Sequence, residues 1–240
     1  MLTRGELLST SRCGLVIDTS IRESRCDVSR SHRLGCGCVP WRQGLRILGA
    51  MRAIFGGTFD PPHFAHLAAG ETAHDQLNVD MVTFIPTGRP WQKAGRHVSA
   101  AHHRLSMTEL AIEGIEYFTV DDREVHRDGW TITIDTVESF DEERIVLIVG
   151  ADAAGGIPTW HRSSELLERV QIAVVPRPGV KRSDVESAVQ REIAWLDMPP
   201  IDLSGTMLRR HVSEGRSIRF LVPDPVLAYV DDHNLYQKPS

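Results

Sequence analysis

Lysine is almost absent from this 240-residue chain: only 3 of its 27 basic residues are Lys, and the other 24 are Arg. That skew reads as GC-rich coding and not as chemistry. No surplus of positive charge accompanies it. The net charge is −5, which argues against broad binding to nucleic acid or to an anionic membrane surface. No apolar run approaches the roughly 20 residues that span a bilayer. Cysteine is missing after residue 38, and the cysteine-free remainder fits a reducing, cytoplasmic setting. There is no internal repeat and no low-complexity segment. A hydrophobic content of 41% in a chain of this length suits one globular domain with an appendage.

The appendage is residues 1–50. All four cysteines lie in it: Cys13, Cys26, Cys36 and Cys38. It also holds eight Arg and four acids, so it carries +4 while residues 51–240 carry −9. A Cys-x-Cys pair with two distant partners does not match the usual paired zinc spacings. The segment has no continuous signal-peptide core and no amphipathic period. Such a composition buries little apolar surface. The segment therefore reads as a disordered tail, or as a translation start placed too early, because Met51 opens the first strand directly.

The body, residues 51–240, is arranged around Arg52-Ala-Ile-Phe-Gly-Gly-Thr-Phe-Asp-Pro-Pro-His-Phe-Ala-His66. Arg52 to Phe55 is the end of a buried strand. Gly56, Gly57 and Thr58 let the backbone turn tightly and approach a ligand. Asp60-Pro61-Pro62 is a stiff turn. A helical pattern starts at Phe64 and runs to about Leu77, which puts His63 at its start and His66 on nearly the same face. Strand, glycine turn and helix N-terminus together make a phosphate site. Half a metal site is the competing reading of the two histidines, but no Glu stands between them in the zincin arrangement. A chance surface cluster is the other.

Strand and helix signals then alternate. Strands are expected at Met81–Ile85, Tyr117–Val120, Ile145–Val149 and Gln171–Val175. Helices are expected from Ala101 to about Ile112, with Ser99 as N-cap, and over 164–170 and 182–193. Residues 131–136 alternate like a strand. This order predicts an open, mostly parallel α/β sheet with helices on both faces, a Rossmann-like single domain whose ligands lie beyond the carboxyl ends of the strands. A second anion cradle lies at Ile201-Asp-Leu-Ser-Gly-Thr-Met-Leu-Arg-Arg210. Ser204 is a good N-cap, Thr206 lies in the first turn, and Arg209 falls on the face of Thr206.

The first string resembles the GGTFDPPHxGH signature of the nicotinate mononucleotide adenylyltransferase family, within the HxGH nucleotidylyltransferase superfamily. Ala65 stands where that family usually has Gly. Ser204, Thr206 and Arg209 resemble its SxTxxR element. The resemblance covers Met51 to about Tyr236. It implies adenylyl transfer from ATP to nicotinate mononucleotide, with Mg2+ accompanying the ATP and no metal site on the protein. It implies that Gly56, Gly57, Thr58, Phe59, His63, His66, Ser204, Thr206 and Arg209 meet ATP, with His63, His66 and Arg209 catalytic. On the mononucleotide side it points to Thr87, Thr131, Thr133, Asp152, Trp160 and Arg177, and to the loop Trp91-Gln-Lys93. It also makes residues 131–136 the start of a short helix, against their strand-like period. Nicotinamide mononucleotide and phosphopantetheine are the alternative acceptors, and a sensing module without turnover is the alternative of another class. A homo-oligomer is compatible with the sequence.

Expression from Met51 is expected to leave the Tm and turnover of the full chain unchanged. Loss of folding, or zinc bound stoichiometrically by the four cysteines, would show that residues 1–50 are part of the working protein.

Overall fold

Successive residues of the central strands enter two different apolar clusters, as a sheet buried on both faces requires. The computed structural model describes residues 51–89, 98–140 and 144–238, all within the unit Arg46–Ser240. The tail expected over residues 1–50 and the loop Trp91-Gln-Lys93 lie outside the described residues. Six strands form one sheet: β1 (Arg52–Gly57), β2 (Met81–Pro86), β3 (Phe118–Val120), β4 (Ile145–Gly150), β5 (Val170–Val175) and β6 (Ile193–Trp195). Every pairing is parallel, in the order β3-β2-β1-β4-β5-β6. The sheet is thus parallel throughout. The strand order reverses between β1 and β4, where a crevice opens at the carboxyl ends.

Eight helices are described: α1 (Phe64–Leu77), α2 (Ala101–Ile112), α3 (Thr133–Glu138), α4 (Ala151–Ala154), α5 (Ser163–Arg169), α6 (Arg182–Val189), α7 (Gly205–Ser213) and α8 (Asp224–Asp232). On one face Ala53, Phe55, Phe84 and Ile148 pack with Ala69 and Ala73 of α1, Met107 of α2, Leu208 of α7 and Val226 of α8. On the other, Ile54, Leu147 and Val174 pack with Ile134 of α3, Leu166 of α5 and Val185 of α6. The buried face of α1 is Ala65, Ala69, Gly70 and Ala73. Small residues there let the helix lie close to the sheet, and a Cβ at Gly70 would sit 3.0 Å from the rings of both Phe84 and Phe118. No helix among the described residues is long and apolar enough to cross a membrane.

One conflict between period and resemblance is resolved in favour of the helix, and two local expectations change. Residues 133–138 are helical, so the burial of Ile134 and Val137 on the sheet overrides the strand-like alternation. The helix expected to reach residue 193 stops at Val189, where Gln190 takes a left-handed conformation (φ 54°) and frees Ile193–Trp195 to pair with β5. Ser99 does not cap α2, because Ala100 holds the cap position without a side-chain bond. The backbone of Ser99 is engaged instead. Its N–H donates to Asp60 Oδ2 at 3.2 Å and its carbonyl accepts from Arg104 Nε at 2.9 Å.

Arg104, on α2, is 1% exposed. Besides Ser99, its Nη1 donates to the carbonyl of Thr58 and its Nη2 to that of Gly88, both at 2.9 Å. One guanidinium therefore ties the loop after β1 to the loop after β2. Burial lowers its pKa, and the charges of Asp60, Tyr236 and Glu124 act in the opposite direction. Arg104→Met keeps the bulk and leaves the three carbonyls without this donor. It is expected to cost about 3–5 kcal/mol of stability, read from urea unfolding. A loss below about 1 kcal/mol would mean that the loops hold without it.

Candidate active site at the carboxyl edge of the sheet

A cleft of about 320 Å3 opens where β1 and β4 diverge. Its walls include Gly56, Gly57 and Thr58 after β1, Thr87 after β2, Gly150 and Asp152 after β4, and Arg177 after β5. A Cβ on Gly56 would meet nothing within 4 Å, so the bare backbone faces open space there. Gly57 is different: a Cβ would lie 2.7 Å from the Phe59 ring. Phe59 itself is 1% exposed and packs edge-on against Phe55 and His66. Its side chain is therefore core, and only its backbone is left for the ATP contact expected of it.

His63 and His66 stack with ring centroids 3.7 Å apart. The N–H of His63 donates to His66 Nδ1 at 3.2 Å. That bond makes Nδ1 an acceptor, so the proton of the neutral His66 ring is on Nε2. His66 lines the cleft together with Ala65, whose methyl forms part of the wall. His63 is 1% exposed and stands behind His66, with an Nδ1 that has no partner among the described residues. Its pKa is lowered to about 4, first by burial and then by the positive charge of Arg177.

The second cradle meets the first. Ser204 caps α7 by accepting from the N–H of Met207 at 3.3 Å. Arg209 donates from Nη1 to the Asp60 carbonyl at 2.6 Å and from Nη2 to Thr206 Oγ1 at 3.3 Å. This close approach requires Gly205, since a Cβ there would lie 2.7 Å from the Asp60 oxygen. Asp60 is 3% exposed. Its Oδ1 accepts from the Tyr236 hydroxyl at 2.7 Å, and its Oδ2 lies 3.7 Å from Arg209 Nη1. Burial and the neighbouring Asp60 charge hold the Tyr236 hydroxyl protonated, with its pKa well above the usual tyrosine range. Ser204, Thr206 and Arg209 thus flank the Asp-Pro-Pro turn, outside the walls of the cleft itself.

The residues expected to meet the mononucleotide come together in the cleft. Thr87, Thr131, Thr133, Asp152, Trp160 and Arg177 all line the cleft. Thr131 also braces it, because its Oγ1 accepts from the N–H groups of Gly88 and Arg89 at 3.1 and 3.3 Å. Trp160 follows a single 3₁₀ turn (Ile157–Thr159) and is half-buried, packed on the second cluster while facing the cleft. Arg177 donates to the Leu203 carbonyl at 3.3 Å and has a buried Nε without a hydrogen-bond partner, 3.9 Å from Asp152 Oδ1. Sequence reasoning missed Arg104, Glu124 and Tyr236. Glu124 lines the cleft, is 4% exposed, and accepts from Thr136 Oγ1 at 2.6 Å. Burial raises its pKa to about 7, against the Thr136 hydrogen bond and the charge of Arg127.

A parallel sheet with a phosphate loop after β1, a capped helix bearing an Arg beside it, and a cleft at the switch point defines a nucleotidylyltransferase-type domain. Residues 54–211 match the cytidylyltransferase-like family. The chain is 39% identical over 188 residues to a probable nicotinate-nucleotide adenylyltransferase of Salinibacter ruber, spanning 77% of this chain and 96% of that protein. A probable nicotinate-nucleotide adenylyltransferase of Dehalococcoides mccartyi is 37% identical over 196 residues, with the same coverage of both chains. The fold matches that of Plasmodium falciparum nicotinic acid mononucleotide adenylyltransferase complexed with NaAD, at TM-score 0.68 and 17% identity over 78% of this chain and 98% of that one. The chain belongs to the nicotinate-nucleotide adenylyltransferase family, within the cytidylyltransferase-like proteins.

The buried His63 carries a pH prediction. Its folded pKa of about 4 lies below the ordinary 6.5. The unfolded chain therefore binds the proton first, and stability held above pH 6.5 is lost as the pH falls towards 4. The size is about 3 kcal/mol. Urea unfolding of His63→Gln should lack this acid-side loss relative to the unsubstituted chain. Parallel curves for the two proteins would show that His63 is not held neutral.

Proposed function

We propose that the chain transfers the adenylyl group of ATP to nicotinate mononucleotide, giving deamido-NAD and pyrophosphate. The observation that carries this reading is the contact of Arg209 with the Asp60 carbonyl, which sets the α7 cradle beside the glycine loop. An oxygen of the mononucleotide 5′-phosphate attacks the α-phosphorus of ATP in line. The bond from that phosphorus to the bridging oxygen breaks, and pyrophosphate leaves with the electron pair. A phosphate monoester is already an anionic nucleophile, so no strong general base is required and the work is positioning and charge stabilisation.

The chain supplies that work with N–H donors. The glycine turn and the start of α1 face the triphosphate. His66 offers Nε2–H, because its Nδ1 is committed to the backbone. Arg209 uses one N–H of each terminal nitrogen for Asp60 and Thr206 and has further donors for phosphate oxygens. The loop N–H groups of Ser204-Gly-Thr206 complete that side. Trp160 gives a flat face for the pyridine ring, and Arg177, with its unpartnered Nε, is placed for the mononucleotide phosphate. Mg2+ would accompany ATP as part of the substrate, where it would supply charge neutralisation and need few protein ligands. The cytoplasm is the compartment this reading assigns.

Pyrophosphate release tests the reaction. His66→Ala and Arg209→Ala are each expected to lower kcat by about 10²–10³ while the fold survives, as removing a transition-state donor does. His74→Ala should be nearly silent, since His74 stacks on Tyr117 instead. Trp160→Ala should raise the KM for the mononucleotide several-fold and leave that for ATP nearly unchanged. A normal kcat in His66→Ala at saturating substrates would remove its catalytic role.

A further inference from the structure

Tyr236 is brought to the Asp-Pro-Pro turn by a chain reversal after α8. The N–H groups of Asn234 and Leu235 donate to the carbonyls of Asp231 and Val230 at 3.2 and 3.0 Å. Asn234 and Tyr236 both take left-handed conformations, with φ of 49° and 65°. A residue with a β-carbon adopts such a φ at a cost, so its surroundings must hold it there. What holds Tyr236 is the first apolar cluster around its ring and, at its hydroxyl, Asp60, 176 residues earlier in the chain.

The hydroxyl donates to Asp60 Oδ1 at 2.7 Å. Burial and the Asp60 charge keep it protonated, so it is a donor whenever Asp60 is ionised. The other oxygen, Oδ2, accepts from the Ser99 N–H at 3.2 Å. Arg209 Nη1 stands 3.7 Å from Oδ2, outside hydrogen-bond range, and donates at 2.6 Å to the carbonyl of the same residue. The guanidinium thus rests on a neutral peptide oxygen and not on the anion beside it. A buried carboxylate oxygen that loses its donor is costly and draws in another. Arg104, the other cation acting on Asp60, is committed to three carbonyls. Arg209 is the cation within reach, and a direct ion pair with Asp60 would take up the donors that a triphosphate needs.

We propose that Tyr236 is a positioning residue for the adenylyl transfer: its hydroxyl holds the Asp60 carboxylate off Arg209, so that the guanidinium stays available to the phosphates of ATP. The proposal rests on the function given above and deepens it, by making the turn after α8 part of the ATP side of the site. Tyr236 is not in the wall of the cleft. It acts through Asp60 and not on a substrate.

Steady-state kinetics of Tyr236→Phe, which keeps the ring and removes the donor, test this. The kcat/KM for ATP should fall roughly ten- to hundredfold, the worth of one hydrogen bond to a charged group. The KM for nicotinate mononucleotide should stay nearly unchanged, whereas a general loosening of the fold would move both. In an Arg209→Ala background the same substitution should cost almost nothing further, because both changes act through one guanidinium. An unchanged kcat/KM for ATP, an equal rise in both KM values, or losses that multiply in the double variant overturns the proposal alone. If the unsubstituted protein turns over neither pyridine mononucleotide, the functional reading falls and the proposal with it. If Tyr236→Phe does not fold, fluorinated tyrosines at position 236 decide, since they keep the ring and grade the acidity of the hydroxyl. The kcat/KM for ATP should rise as the hydroxyl becomes a stronger donor to the carboxylate, with the KM for the mononucleotide unaffected. No dependence on that acidity overturns the proposal.

Discussion

Three peptide oxygens converge on the buried Arg104 guanidinium, and the shape of the cleft depends on that convergence. Thr58 belongs to the loop after β1, Gly88 to the loop after β2, and Ser99 to the entry of α2. No strand pairing joins these three segments, since each lies past the end of a regular element. An arginine serves because its planar donors fan out in one rigid fork and satisfy several carbonyls at once. A lysine ammonium would not span them with the same geometry. The cost is a buried charge, and the nearby Asp60 carboxylate partly compensates it.

Asp60 plays the complementary part on the anionic side. Its backbone oxygen receives Arg209, its carboxylate receives Tyr236 and the Ser99 N–H, and its own loop carries the histidines. Residues 60, 99, 209 and 236 are far apart in the chain, yet one carboxylate and one carbonyl bring them together. Both Arg104 and Arg209 thus spend donors on fixing backbone, so the phosphate-facing N–H groups are set before any nucleotide arrives. That is the arrangement a phosphoryl-transfer site needs, because preorganised donors cost no reorganisation during reaction.

The cleft brings groups of different charge together. His63 behind the glycine turn is kept unprotonated by burial and by the charge of Arg177. Threonine hydroxyls, a half-buried tryptophan, the Arg177 guanidinium and the Glu124 carboxyl line one cleft. Burial raises the pKa of Glu124 to about 7, so its proton content changes near neutral pH.

Much of this was legible in the sequence because it depends on local rules. Apolar runs of five or six residues between glycine and proline punctuation mark β1, β2, β4 and β5, and their two-sided burial follows from the sheet. The glycine turn, the start of α1 and the Ser204 cap were readable for the same reason: each is specified within a few residues. Where local rules erred, long-range packing decided. Residues 133–138 alternate like a strand but become helix because Ile134 and Val137 find the sheet. Residues 193–195 look like a helix end but become strand because β5 has an open edge. Arg104, Glu124 and Tyr236 carry no local signal, since a charged or phenolic residue reads as solvated until its surroundings are known. The sequence by itself determined which residues could hold a nucleotide. The tertiary structure alone decided which polar groups are sealed from water, and so which of them must pair, stay neutral or wait for a ligand.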